Sequence, residues 1–217
     1  MFKILPDTHK IVAKIVHDRI KEKYEINLNL EKMLWGSIAP DVLPYYKTKR
    51  HYFDESGDYI AREISKLIYF SRYSYSEGNE SKLFINYISK KLGIIMHYLC
   101  DFVCYPHAYR MTFVDNFRKH VKYEQDLAIY ARENKYLEEH FIDTIKSENI
   151  NFFANIDQKL ELKIKNYLVE VIKEYKSSNH SFDNDLNFAL NLSTNISLLV
   201  IESILDYGEE LDIQFIW

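Results

Sequence analysis

Histidine and carboxylate recur at helical spacing in two short stretches of this chain. "HYLCDFVCYPH" places Asp101 four residues after His97 and adds His107, and "HVKYE" places Glu124 four residues after His120. On an α-helix, positions four apart share a face, so each pair aims a nitrogen and an oxygen to the same side. Imidazole and carboxylate are costly to desolvate, so an otherwise apolar segment that carries them needs a partner: one another, water or a metal. Each pair offers two legs of a site, and His107, just past Pro106, and His51, on a distant segment, can each supply a third. Three protein donors plus water is the pattern of catalytic zinc. Three of the eight histidines fall between residues 97 and 124, where even spacing would put about one. Taken singly, each is an ordinary core or surface residue, and a His–acid pair is a salt bridge; the joint pattern is what points to metal.

Helices must hold these groups. Asp7 or Thr8 can cap a helix through "HKIVAKIVHDRIKEKY", with Ile11, Val12, Ile15 and Val16 on one face and His9 in its first turn. A short helix from Leu30 ends at Gly36, after which Pro40 and Pro44 are expected to hold the chain extended around Asp41. Ile60, Ile64, Leu67, Ile68 and Phe70 mark a long helix over 58–73, and "SYSEGNES" is a polar break. The next helix, 82 to about 105, is expected to turn Leu83, Tyr87, Ile88, Leu92, Ile95 and Leu99 inward until Pro106 kinks or ends it. Helices near 114–134, 157–176 and 185–207 complete the count, and neither a repeat nor a heptad seam is visible. The expectation is one all-α domain over 1–217 with six or seven helices.

Composition agrees. Gly (5) and Pro (4) are too scarce for the many tight turns of a sandwich or barrel. A formal charge of −4 gives no basic field toward nucleic-acid phosphates or anionic lipid, and leaves room only for a local basic patch. No stretch approaches the ~18 apolar residues of a membrane span, and "MFKILPDTHK" lacks the apolar core of a secretory signal, so a cytoplasmic protein is expected. Cys100 and Cys104 read as two reduced, half-buried thiols, with no further cysteine to complete a thiolate site.

The pattern H-x3-D-x5-H-x12-H-x3-E over 97–124, with "GSIAPD" and "KRHYF" upstream and "THKIVA" near the start, resembles the zinc-dependent phospholipases C and the related single-strand-specific zinc nucleases. Those are helical phosphodiesterases with a three-zinc cluster, and the resemblance covers residues 5–127. It implies that His51, His97 and Asp101 ligate one zinc and that His107, His120 and Glu124 ligate a second. It also implies that His9 binds a third zinc, sharing the Asp101 carboxylate, and that Asp41 contacts the attacking water as general base. Secreted members add an N-terminal tryptophan to that third site; this chain has none near its start, so two or three ions are implied. They also place an aromatic after the basic aspartate to hold choline. Here the residue is Val42, which argues against phosphatidylcholine. Nitrogen and oxygen ligands without thiolate suit zinc, although Mn, Fe or Co could take the same positions.

The activity so implied is a metal-dependent phosphoric ester hydrolase, phospholipase C-like, acting on a phosphate ester for which phospholipid is one candidate and nucleic acid is left open. A competing reading is a non-catalytic helical module in which metal only holds helices together. A third takes His17–Asp18 in "VHDRI" as the doublet of another helical phosphohydrolase family. It is the weaker one, because the doublet sits beside Lys14 and Arg19 and reads as solvated, and because His140 and His180 have no acid at ligand spacing.

Overall fold

A computed structural model describes residues 7–24, 26–76, 81–111, 116–133 and 160–214, and among these there is no strand. The helices are α1 (Asp7–Tyr24), α2 (Leu30–Gly36), α3 (Ala39–Val42), α4 (Phe53–Ser76), α5 (Lys82–Phe102), α6 (Tyr105–Ala108), α7 (Phe117–Glu133), α8 (Leu160–Ser177) and α9 (Phe182–Gln214). A 3-10 turn, Pro44–Thr48, links α3 to α4.

α5 is the central post. From Leu92 to Phe102 every residue is buried, as expected of a helix packed on all sides. α1, α2, α4 and α9 surround it, contributing Val12, Val16 and Ile20, then Met33, then Ile60, Ile64 and Ile68, then Leu190, Ile196 and Val200 to one hydrophobic cluster. Each such side chain contributes about 1.5–3 kcal/mol on burial. α2 approaches α5 most closely, and two glycines make that possible. A Cβ on Gly93 would lie 2.2 Å from Met33 O and 2.8 Å from Ser37 N, and one on Gly36 would lie 2.3 Å from Lys90 O.

Several sequence expectations are corrected. The chain around Asp41 is not extended: Pro40 lies in the first turn of α3, where its missing N–H costs nothing, and Pro44 opens the 3-10 turn. α5 ends at Phe102, ahead of Pro106, which sits in the first turn of α6. Leu83 and Tyr87 face outward rather than in, 79% and 42% exposed, and so does Phe70 at 42%. Phe84, Ile88 and Ser89 are buried at that end of α5 and Ile85 packs against the core, so Leu83 and Tyr87 lie on its outer face, with Phe70 packed 4.7 Å from the Tyr87 ring. α4 starts earlier than expected because Phe53 packs on Phe102, ring centroids 5.4 Å apart. Residues 77–80, 114–115, 134 and 157–159, on which other expected boundaries fall, lie outside the described set. No helix among the described residues is long and apolar enough to cross a membrane.

Candidate metal centre

Amid the apolar side chains of α5, His97 and Asp101 are buried one turn apart. The glycine contact between α2 and α5 brings the Ser37 carbonyl to 2.9 Å from His97 Nδ1. Nδ1–H donates to that oxygen, so Nε2 is the nitrogen that faces the site. Around Nε2 stand Asp101 Oδ2 at 3.2 Å, His51 Nδ1 at 3.3 Å and Asp41 Oδ1 at 3.6 Å.

The two oxygens of Asp101 serve different neighbours. Oδ2 lies 2.8 Å from His51 Nδ1, beside His97, while Oδ1 lies 3.4 Å from His9 Nε2 and 3.6 Å from His107 Nε2. Beyond His107, Glu124 Oε1 stands 3.1 Å from His107 Nε2 and 2.8 Å from His120 Nε2. His9 stacks at a tilt on His97, ring centroids 4.2 Å apart. Three compact donor sets result: His51, His97 and Asp101; His107, His120 and Glu124; and His9, Asp41 and His97. The structure thus brings together all eight residues singled out in the sequence. It sets His9 against Asp41 as well as beside Asp101, and gives Asp41 an oxygen at ligand range.

Proton affinities are displaced in both directions. Burial, reinforced by the nearby His97, lowers His9 to about 4. Burial works the same way on His97, but Asp101 and Asp41 outweigh it and raise the ring to about 9. Against its own burial, Asp101 is held well below the usual carboxylate range by His107, His97 and His9. Glu124, likewise opposed by burial, is lowered to about 2 by hydrogen bonds from His107 and His120.

These donors suit a divalent cation. Asp101 Oδ2 makes no hydrogen bond of acceptable geometry although two imidazole nitrogens lie within 3.2 Å, so nitrogen and oxygen donors converge on a shared point instead of pairing. Cys100 and Cys104 are buried free thiols, not half-buried ones. Burial raises Cys100 to about 12 and lifts Cys104 well above the usual thiol range, which leaves both protonated and outside the ligand set.

The model of the zinc-dependent phospholipase C family matches residues 8–182, most of the chain. The chain belongs to the zinc-dependent phospholipase C family. All eight candidate residues of this family member fall inside the match, whereas no curated protein and no solved structure matches it.

In this phospholipase C family chain all the candidate donors but His97 line a cavity of about 160 Å³. Phe117, Val121, Leu127, Leu186 and Ala189 give it an apolar wall, the last two from α9 beyond the family match. Sequence reasoning missed Asp185. Its buried carboxylate accepts from Tyr105 N at 3.0 Å, Tyr123 Oη at 2.8 Å and Tyr175 Oη at 2.7 Å, tying α9 to α6, α7 and α8 beside the candidate metal ligands. Burial raises its pKa despite the three donors. The one signal was an acid opening an otherwise apolar helix, which reads equally well as a favourable N-terminal charge. Ser37 acts through its backbone and leaves no signal at all. The His17 doublet is corrected: His17 is buried, not solvated, and bonds Leu28 O at 3.1 Å and Asp18 Oδ1 at 2.9 Å as a structural residue. His180 packs on Tyr105 and Tyr109, and His140 lies outside the described residues.

Proposed function

We propose that this chain is a zinc-dependent phosphodiesterase that cleaves phosphate esters in the manner of a phospholipase C. The observation that carries the reading is the shared Asp101 carboxylate, which borders His51 and His97 through one oxygen and His9 and His107 through the other. On this reading His51, His97 and Asp101 hold one ion, His107, His120 and Glu124 a second, and His9 with Asp41 or Asp101 a third. Bound zinc supplies an acidified water and positive charge for the phosphate oxygens.

The chain's own groups do the rest. Ser37 O fixes the His97 ring, and burial keeps Asp101 away from bulk water. Glu124 Oε1 is engaged by two imidazoles. Asp41 differs: it borders both the metal cavity and the open recess next to it, and its side chain is 25% exposed. Asp41 is therefore the carboxylate placed to orient the attacking water and take its proton. The apolar wall favours a substrate with an uncharged carbon portion.

Elemental analysis together with hydrolysis of bis(4-nitrophenyl) phosphate tests the proposal. His97→Ala is expected to lose metal and turnover. Asp41→Asn is expected to keep the ions of the two three-ligand sets and lose about 10²–10⁴-fold in kcat. Unchanged turnover in both variants removes the proposal. Tight zinc binding without turnover on a broad panel of diesters and monoesters would favour the non-catalytic module instead.

A further inference from the structure

A second recess of about 260 Å³ opens beside the metal cavity. It shares Asp41, His51 and His107 with that cavity, and its outer rim carries Lys47, Lys49 and Arg50. Three cations within four residues repel one another. Such a cluster on a chain of net charge −4 marks a local feature and not a general basic surface.

The backbone beneath the rim is pinned at both ends. Lys49 N donates to Tyr46 O at 2.8 Å, closing the 3-10 turn over the buried Tyr46 ring, and Ser56 Oγ donates to Arg50 O. Lys49 Nζ rests 4.9 Å from the centroid of the Tyr59 ring, which holds it without neutralising it. Among the described residues no carboxylate pairs with Lys47 or Arg50. The aromatic faces a quaternary ammonium would need are not free here: Tyr46 is buried, and the Arg110 guanidinium covers the Tyr52 ring at 4.7 Å.

We infer that this recess is a subsite for a second phosphate group on the substrate, adjoining the scissile diester and held by Lys47, Lys49 and Arg50. The inference rests on the phosphodiesterase reading for where the diester lies, and it names the substrate class: a phosphodiester whose polar portion bears a further phosphate. An inositol phosphate headgroup and a nucleotide 3′-phosphate share that chemistry.

Two substrate pairs separate these sources in the zinc-loaded protein. One is dihexanoyl phosphatidylinositol with and without a 4-phosphate. The other is thymidine 5′-(4-nitrophenyl phosphate) with and without a 3′-phosphate. The phosphorylated member of at least one pair is expected to show kcat/KM about tenfold higher or more, and the pair that does so identifies the source. Lys47→Gln combined with Arg50→Gln is expected to collapse that ratio toward one, whereas Lys47→Arg with Arg50→Lys keeps it. A ratio near one for both pairs in the unmodified protein, or a ratio the double glutamine variant leaves intact, overturns the inference even while bis(4-nitrophenyl) phosphate is hydrolysed. Calorimetric titration with inositol 1,4-bisphosphate against inositol 1-phosphate reads the same subsite without turnover. The same titration with thymidine 3′,5′-bisphosphate against thymidine 5′-phosphate reads the nucleotide source. About tenfold tighter binding of the bisphosphate in at least one pair is expected, and equal binding in both overturns the subsite whether or not the protein proves catalytic.

Discussion

The imidazoles around Asp101 make opposite demands on protons, and the metal-free protein should record both. His97 is raised from 6.5 to about 9, so its contribution to stability is full below 6.5 and is lost as pH rises through 9. His9 is lowered from 6.5 to about 4, so its contribution is full above 6.5 and is lost as pH falls toward 4. Glu124, lowered from 4.5 to about 2, adds a further loss below 4.5. The melting temperature of the zinc-stripped protein is therefore expected to peak near pH 6.5 and to fall on either side. Loading zinc should flatten the alkaline limb, because a ligating His97 is already neutral and has no imidazolium proton to release. Calorimetric melts across pH 4–9 check this, and a profile that stays flat without metal would contradict it. Much of this chemistry was legible from spacing, since a helix forces His97 with Asp101, and His120 with Glu124, onto common faces. His9, Asp41 and His51 were not, because nothing local joins residues so far apart; only the resemblance linked them. The Ser37 carbonyl and Asp185 escaped both, being tertiary partners whose side-chain type or backbone role carries no pattern.

Among the elements, the contact of α2 with α5 decides how well His97 is aimed. Gly93→Ala would drive a Cβ to within 2.2 Å of Met33 O, a backbone atom that can yield only if α2 moves. That shift carries the Ser37 carbonyl away from His97 Nδ1 and costs about 1–3 kcal/mol of stability. Loss of an outer-shell partner of this kind lowers metal affinity by about 10–100-fold. Zinc titration of the variant, held well below its melting temperature, is expected to show that weakening, and an unchanged affinity would mean that the carbonyl is not what orients the ring. The long helices were readable because Val12 and Val16, or Ile60, Ile64 and Ile68, repeat at helical period and do face the core. The same rule misplaced Leu83 and Tyr87, since periodicity finds an apolar stripe without telling where the neighbouring helix stops covering it. It also missed α3 and the 3-10 turn, whose prolines mark a first helical turn as readily as a break.

Across the molecule, the candidate donors come from α1, α3, the segment before α4, α5, α6 and α7, so a metal bound there would link elements that packing holds unequally. α5 is buried almost throughout its second half and needs no ion to stay in place. α7 is different: its buried residues are His120, Leu127, Ala128 and Ala131, and one of these four is itself a candidate ligand. With so little fully buried apolar surface, α7 leans on polar contacts as well: Tyr123 on Asp185, and His120 and Glu124 meeting His107 across the site. Without cations, Glu124 still draws the two rings together, but that contact lies at a partly exposed edge and is worth far less than coordination. An ion present at about a thousand times its dissociation constant adds about 4 kcal/mol to the folded state. Most of that increment should be felt where packing is thinnest. Chelation is thus expected to speed amide hydrogen exchange across Phe117–Glu133 while the Leu92–Phe102 stretch keeps its protection. Exchange followed by mass spectrometry before and after chelation reads both segments in one sample. Equal loss of protection in the two would mean that metal stabilises the fold as a whole, and no loss in either would mean that the donors grip no ion.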